Sequence, residues 1–132
     1  MQSAFSIHLP CDEKISWRAR SEVARRLNGT PAAWTSDYKL LLSELVTNAI
    51  QHGGAGEHET IQVRVASSYE KVRVEVFDPG PNAAGPRNRL EPEGGFGLLL
   101  VDRLASGWGR EKVDSGGSLA LFELVLDPID HI

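Results

Sequence analysis

The sequence predicts an α+β two-layer sandwich, with a mixed, mostly antiparallel sheet of about five strands and three helices on one face. Three observations carry this. Short segments alternate apolar and polar residues and come in pairs joined by turn-forming residues. Longer segments repeat apolar residues at helical spacing. The order β-α-α-β-β-loop-α-β-β places neighbouring strands in hairpins, which excludes a doubly wound parallel sheet. The 132 residues suit one domain spanning 1–132.

The elements follow in chain order. Residues 4–9 alternate and read as a short strand stopped by Pro10. Asp12 is placed to cap a helix whose buried stripe is Ile15, Ala19, Val23 and Leu27, ended by Asn28-Gly29. In the second helix Tyr38, Leu41, Leu42, Leu45, Val46, Ala49 and Ile50 form the apolar face. Thr35, Ser36 or Asp37 caps its start, and Gly53-Gly54 ends it. Ile61, Val63 and Val65 define one strand, and Val72, Val74 and Val76 the next, with a turn at 67–70. Glycines and prolines make 79–95 a loop, and a loop of this length in a small domain is often functional. A third helix starts near Gly97, buries Leu98, Val101, Leu104 and Ala105, and stops at Gly107. Strands at 108–113 and 118–126 close the chain around the turn 114–117.

Composition narrows the function. A hydrophobic fraction of 41% and a charged fraction of 24% describe an ordinary globular protein. No apolar run reaches the ~20 residues of a membrane span, and residues 1–9 lack the basic and apolar regions of a secretory signal. The lone Cys11 has no disulfide partner and cannot build a zinc site by itself. A reducing cytoplasm is the expected compartment. The net charge of −4, with no basic run longer than Arg25-Arg26, argues against direct nucleic-acid binding and its phosphate contacts.

Three motifs carry chemistry. On the second helix Glu44, Asn48 and His52 recur every four residues, a polar stripe beside the apolar one. A carboxylate and a carboxamide on successive turns hold a water or a hard cation such as Mg²⁺, which keeps waters and leans on phosphates. Alone, the same stripe is a solvated helix face, and a histidine near a helix end also caps carbonyls. Asp78-Pro79-Gly80-Pro81 closes a strand. It is either an ordinary turn or an acceptor for an exocyclic amine with a glycine beside it that lets a flat ring approach. Glu93-Gly94-Gly95-Phe96-Gly97-Leu98 leads into a helix, where glycine N–H groups and the helix dipole favour phosphate. Neither a P-loop nor a dinucleotide-binding fingerprint is present.

In this order and spacing, Glu44-x-x-x-Asn48, Asp78-x-Gly80, Gly95-x-Gly97-Leu98 and Gly116-Gly117-Ser118 resemble the N, G1, G2 and G3 boxes of the histidine-kinase-like (GHKL, Bergerat fold) ATPase superfamily. The runs 44–52 and 94–105 are similar to those of its small stand-alone anti-sigma-factor serine/threonine kinases. The resemblance implies ATP and Mg²⁺ as cofactors. It implies Glu44 as catalytic base or holder of a metal-bound water, and Asn48 as metal and nucleotide ligand. Asp78 would accept from the adenine amine, with Gly80 near the base. Gly95, Phe96, Gly97 and Leu98 would meet the phosphates, and Ser118 would reach adenine through a water. Two positions depart from the pattern. Pro81 stands at the second glycine of the Asp-x-Gly-x-Gly form, and Ser118 stands where many relatives have threonine. Arg87 and Arg89 are cations of the loop within conceivable reach of a γ-phosphate.

The implied function is that of an anti-sigma factor. It would sequester a sigma factor as a homodimer and phosphorylate a STAS-type anti-anti-sigma protein, away from membranes and nucleic acid. The alternative is a regulator that binds nucleotide and a sigma factor or other protein without phosphoryl transfer.

Overall fold

A computed structural model describes residues 3–27, 32–52, 59–68, 70–79, 104–113 and 116–125. Its elements run β1 (Ser3–Pro10), α1 (Ile15–Arg26), α2 (Ala32–His52), β2 (Thr60–Ser67), β3 (Lys71–Asp78), β4 (Gly107–Lys112) and β5 (Ser118–Val125). The strands form one sheet in the order β1-β2-β3-β5-β4. All four pairings are antiparallel, so the mixed sheet expected from sequence is fully antiparallel in this region. The expected third helix falls mostly on 97–103, outside the described residues, as does the glycine stop of the first two helices.

Strand alternation sends one set of side chains to the helices. Ile7 and Leu9, Ile61, Val63 and Val65, Val72, Val74 and Val76, and Phe122 and Leu124 make the sheet side of the core. The helices answer with Ile15, Ala19, Val23 and Leu27 from the α1 segment and Tyr38, Leu41, Leu42, Leu45 and Val46 from α2, all buried. α2 packs on β3 and β5, and α1 on α2 and β1. Two polar contacts pin the helices together: Arg20 donates to Ser43 Oγ at 2.8 Å, and the Ser16 and Thr47 hydroxyls lie 3.2 Å apart.

Both expected helix caps are corrected. Lys14, not Asp12, holds the N-cap position of α1, with no side-chain cap. The Asp12 carboxylate instead accepts the Lys14 N–H at 2.9 Å and pairs with Arg18 at 3.2 Å. Pro10 ends the strand so close to α1 that Asp12 falls in the connecting turn, where its own carbonyl accepts the Ile15 N–H. α2 begins at Ala32, which leaves Thr35, Ser36 and Asp37 within the helix rather than at its cap. Ala32 and Ala33 are the best helix formers. The five buried α2 side chains contribute roughly 1.5–3 kcal/mol each, so packing outweighs the ~1 kcal/mol of a cap.

The opposite face of the sheet carries a charge ladder. Arg64 pairs with Glu75 across β2 and β3 at 3.5 Å. Arg73 reaches Glu75 at 3.1 Å and its β5 neighbour Glu123 at 2.9 Å, and Lys71 adds a 3.5 Å contact to Glu123.

Candidate functional site

Asn48 and Asp78 are the buried polar residues of the described region, at 8% and 1% exposure. They come from opposite layers. Asn48 follows Leu45 by three residues on α2, so the packing that seats Leu45 against the sheet also turns the amide inward. Asp78 is the last residue of β3, in phase with Val72, Val74 and Val76, and alternation sends it to the same side as those valines. Ser118, the first residue of β5, is its register partner.

These three residues line one small cavity with Leu45, Ala49, Val76, Arg110, Leu119 and Ala120. The cavity is small, about 20 Å³, and its lining mixes apolar side chains with Asn48, Asp78, Arg110 and Ser118. The Asn48 amide nitrogen is buried without a hydrogen-bond partner among the described residues. A buried, unsatisfied donor costs about 1–3 kcal/mol, and native proteins rarely keep one without a ligand, water or ion to meet it. A buried carboxylate, an amide with an open donor and a hydroxyl around one small cavity offer hydrogen-bonding groups of both kinds to a polar ligand edge.

The turn after β4 abuts this site. Gly117 has φ +90°, and a Cβ there would collide with the Asp78 backbone carbonyl oxygen and press on Pro79 Cα at 3.0 Å. Gly116 has φ +104° but open space around it. The glycine pair thus does two jobs: it permits the left-handed turn, and at Gly117 it lets two backbones meet beside Asp78.

Cys11 lies within electrostatic reach of the same end of the sheet. Burial pushes its thiol above the usual range, and the negative charge of Asp78 adds to that, followed by Glu59 and Asp12. The Cys11 N–H donates to the Glu59 carbonyl at 3.3 Å, which ties the end of β1 to the start of β2.

Of the residues singled out from sequence, Asn48, Asp78 and Ser118 are therefore brought together although 70 positions separate the first from the last. Glu44 is half-buried one turn before Asn48 and does not line the cavity. His52 ends α2, and its side chain is outside the description. Gly80, Arg87, Arg89, Gly95, Phe96, Gly97 and Leu98 lie outside the described residues. Sequence reasoning missed Arg110. The signal existed, since Arg110 shares a strand face with Trp108 on β4, but which face of β4 turns inward needs the register with β5. Among the described residues no cluster of three or more metal-ligating side chains occurs.

Comparison with known proteins accords with this geometry. Over 96% of its length the chain matches the crystal structure of the RsbU and RsbW domains of Rv1364c from Mycobacterium tuberculosis, with a TM-score of 0.70 and 23% identity. It spans only 33% of that longer chain. It also matches the SiaB–SiaC complex from Pseudomonas aeruginosa, with a TM-score of 0.56 and 15% identity, covering 92% of this chain and 89% of that one. At these identities the likeness is one of fold. No curated protein matches the chain. The family model of the histidine kinase-like ATPase domain matches residues 15–121, from the start of α1 to the middle of β5. With most of its length matched, and with buried Asn48 and Asp78 at one cavity, the chain belongs to the histidine kinase-like ATPase domain family.

Proposed function

We propose that this chain is a single ATP-binding domain that acts as an anti-sigma factor and serine/threonine protein kinase, phosphorylating a STAS-type antagonist in a partner-switching system. The observation that carries the nucleotide site is the meeting of Asn48, Asp78 and Ser118 at one cavity in a chain of this family. The fold likeness to an RsbW domain and to the SiaB–SiaC complex supports the partner-switching setting.

In this reading Asp78 accepts from the adenine amine at the floor of the cavity. The apolar walls, Leu45, Val76 and Ala120 among them, exclude water from the ring. Ser118 supplies a hydroxyl on the neighbouring strand. Asn48 turns its amide to the nucleotide, where one side-chain oxygen is a suitable Mg²⁺ ligand because that ion takes most of its shell from water and phosphate. Bound Mg²⁺ neutralises charge on the phosphates during transfer. Glu44, one helical turn before Asn48, orients the acceptor hydroxyl or takes its proton. Gly80, Gly95, Phe96, Gly97 and Leu98 complete the base and phosphate contacts. The domain acts as a homodimer that holds the sigma factor, in the cytoplasm.

Incubation with ATP·Mg²⁺ and candidate STAS-type proteins, followed by intact mass, tests the kinase. The expected result is an added phosphoryl group on the antagonist, lost in Glu44→Ala while sigma-factor binding persists. Tight ATP binding with no transfer to any antagonist would retire the kinase and leave a nucleotide-dependent binding module.

A further inference from the structure

Among the described residues β1 ends the sheet, so one of its edges has no strand beside it. The Cys11 N–H donates to the carbonyl of Glu59, the residue opposite it when the β1–β2 register is continued, which makes the odd-numbered residues of β1 the hydrogen-bonded ones. In an antiparallel pair the residues between them turn their N–H and C=O groups the other way. Ser6 and His8 therefore point their backbone groups out of the sheet edge, and among the described residues no other backbone group meets them. Past His8 the edge closes: Pro10 has no N–H, and its carbonyl accepts from Asp12 at 3.0 Å. A groove of about 510 Å³ runs along this edge, between residues 6–9 of β1 and the flank of α1 that carries Arg18, Glu22 and Arg26. Trp17, also in its lining, is 61% exposed. The flank of α1 that packs on α2 is a different one and presents Ser16 and Arg20.

α1 has four arginines against one carboxylate, Glu22, in a chain whose net charge is −4. Beside the groove the Arg25 and Arg26 guanidiniums share Glu22, at 2.7 and 3.8 Å, and Arg18 takes Asp12 at 3.2 Å. Three cations on two carboxylates leave this flank positive. We propose that the groove is a docking site for an extended acidic segment of another protein, which adds to β1 as a further strand. Its backbone pairs with Ser6 and His8. Every second side chain turns towards α1, where carboxylates meet Arg18 and Arg26. A second copy of this chain fits less well. β1 paired with itself about a two-fold axis puts both α1 helices on one side of the joined sheet, positive flank towards positive flank, and like charges oppose such pairing. The groove shares no residue with the cavity of Asn48 and Asp78, so the proposal does not rest on the nucleotide reading.

Amide hydrogen exchange, read by NMR on the full chain with a synthetic acetylated peptide that alternates threonine and glutamate, tests this. With the peptide at about ten times its Kd, the Ser6 and His8 amides should exchange about tenfold more slowly. Ile7 and Leu9, already bonded to β2, should change little. The same peptide with lysine for glutamate should protect neither. His8→Pro removes an outward N–H at an edge position where a strand tolerates proline, and should abolish the protection of Ser6. Arg18→Gln combined with Arg26→Gln should weaken binding about tenfold, the size of two exposed charge contacts, and serves if the proline variant folds poorly. Equal protection by the lysine peptide, protection that misses Ser6 and His8, unchanged binding in the variants, or no binding at all overturns the inference. So does slow exchange of Ser6 and His8 without peptide that speeds up on dilution, which would give the edge to a second copy.

Discussion

At the scale of single residues, the site depends on two positions with different physics. Among the described residues Asn48 carries an unmet buried donor, a cost kept where a ligand repays it. Asn48→Ala removes that group and adds a better helix former, so α2 should hold. We expect ATP binding in Mg²⁺ to weaken by about 1.5–3 kcal/mol, the range of a charge-assisted contact, with a much smaller loss in EDTA. Equal losses with and without metal, measured by titration, would take Asn48 off the metal. Gly117 bears on backbone alone. Alanine there meets the Asp78 carbonyl at a φ that side chains rarely adopt. Gly117→Ala should therefore destabilise by roughly 2–4 kcal/mol, since left-handed strain costs about 1–3 and the collision adds to it. Gly116→Ala, with open space, should lose only about 1–2 kcal/mol. Chemical denaturation of the two variants checks the order. A Gly117→Ala protein as stable as Gly116→Ala would show that β5 and the end of β3 part easily.

Among the elements, β3 and β5 show how charge is used away from the site. The hydrogen bond from Arg73 holds the Glu123 carboxyl below its usual range, and Lys71 adds to it, against a smaller desolvation. A carboxyl lowered on folding adds stability at pH above its unfolded value, near 4.3, and that stability is lost as pH falls through the folded value. Glu123 and Arg73 are 25% and 39% exposed, so solvent screens the pair. Glu123→Gln should cost about 0.5 kcal/mol at pH 7 and nothing measurable at pH 3. Urea curves at both pH values check the sign. A deficit that persists at pH 3 would assign the effect to packing of the longer neighbours instead of to charge. The helices make the complementary case. α2 starts well before the residues whose chemistry suited a cap, because its buried stripe, not its first turn, anchors it.

For the molecule as a whole, the sheet order is what makes the cavity. β5 lies between β3 and β4, so Ser118 sits beside Asp78 and Arg110 is one strand further out. α2 crosses β3 and β5 and lowers Asn48 onto that junction. A ligand gripped by both layers stabilises the folded state by mass action. ATP·Mg²⁺ at about a hundred times its Kd should add ~2.7 kcal/mol to unfolding. Asp78→Asn, with weaker binding, should show a smaller gain at the same concentration. Thermal melts with and without nucleotide read this directly, and an identical gain in the variant would make Asp78 a turn residue only.

The strands and both described helices were legible in the sequence because their cores are strictly periodic. Ile15, Ala19, Val23 and Leu27 repeat every four residues, and Val72, Val74 and Val76 every two, and each period alone selects one backbone geometry. Asn48, Asp78 and Ser118 were grouped in the sequence only through the resemblance of their motifs to the N, G1 and G3 boxes, and the structure brings the three to one cavity. Helix starts were not, because a cap is worth less than the burial of a single leucine, and the residues that fit a cap do not compete with a stripe five residues deep. Only the tertiary structure decided that the amide and the carboxylate are buried together, that a backbone contact at Gly117 supports Asp78, and that Arg110 turns inward. Each of those depends on which strands are neighbours and in what register. A one-residue slip in pairing would send Arg110 to the other face without changing a letter of the sequence pattern.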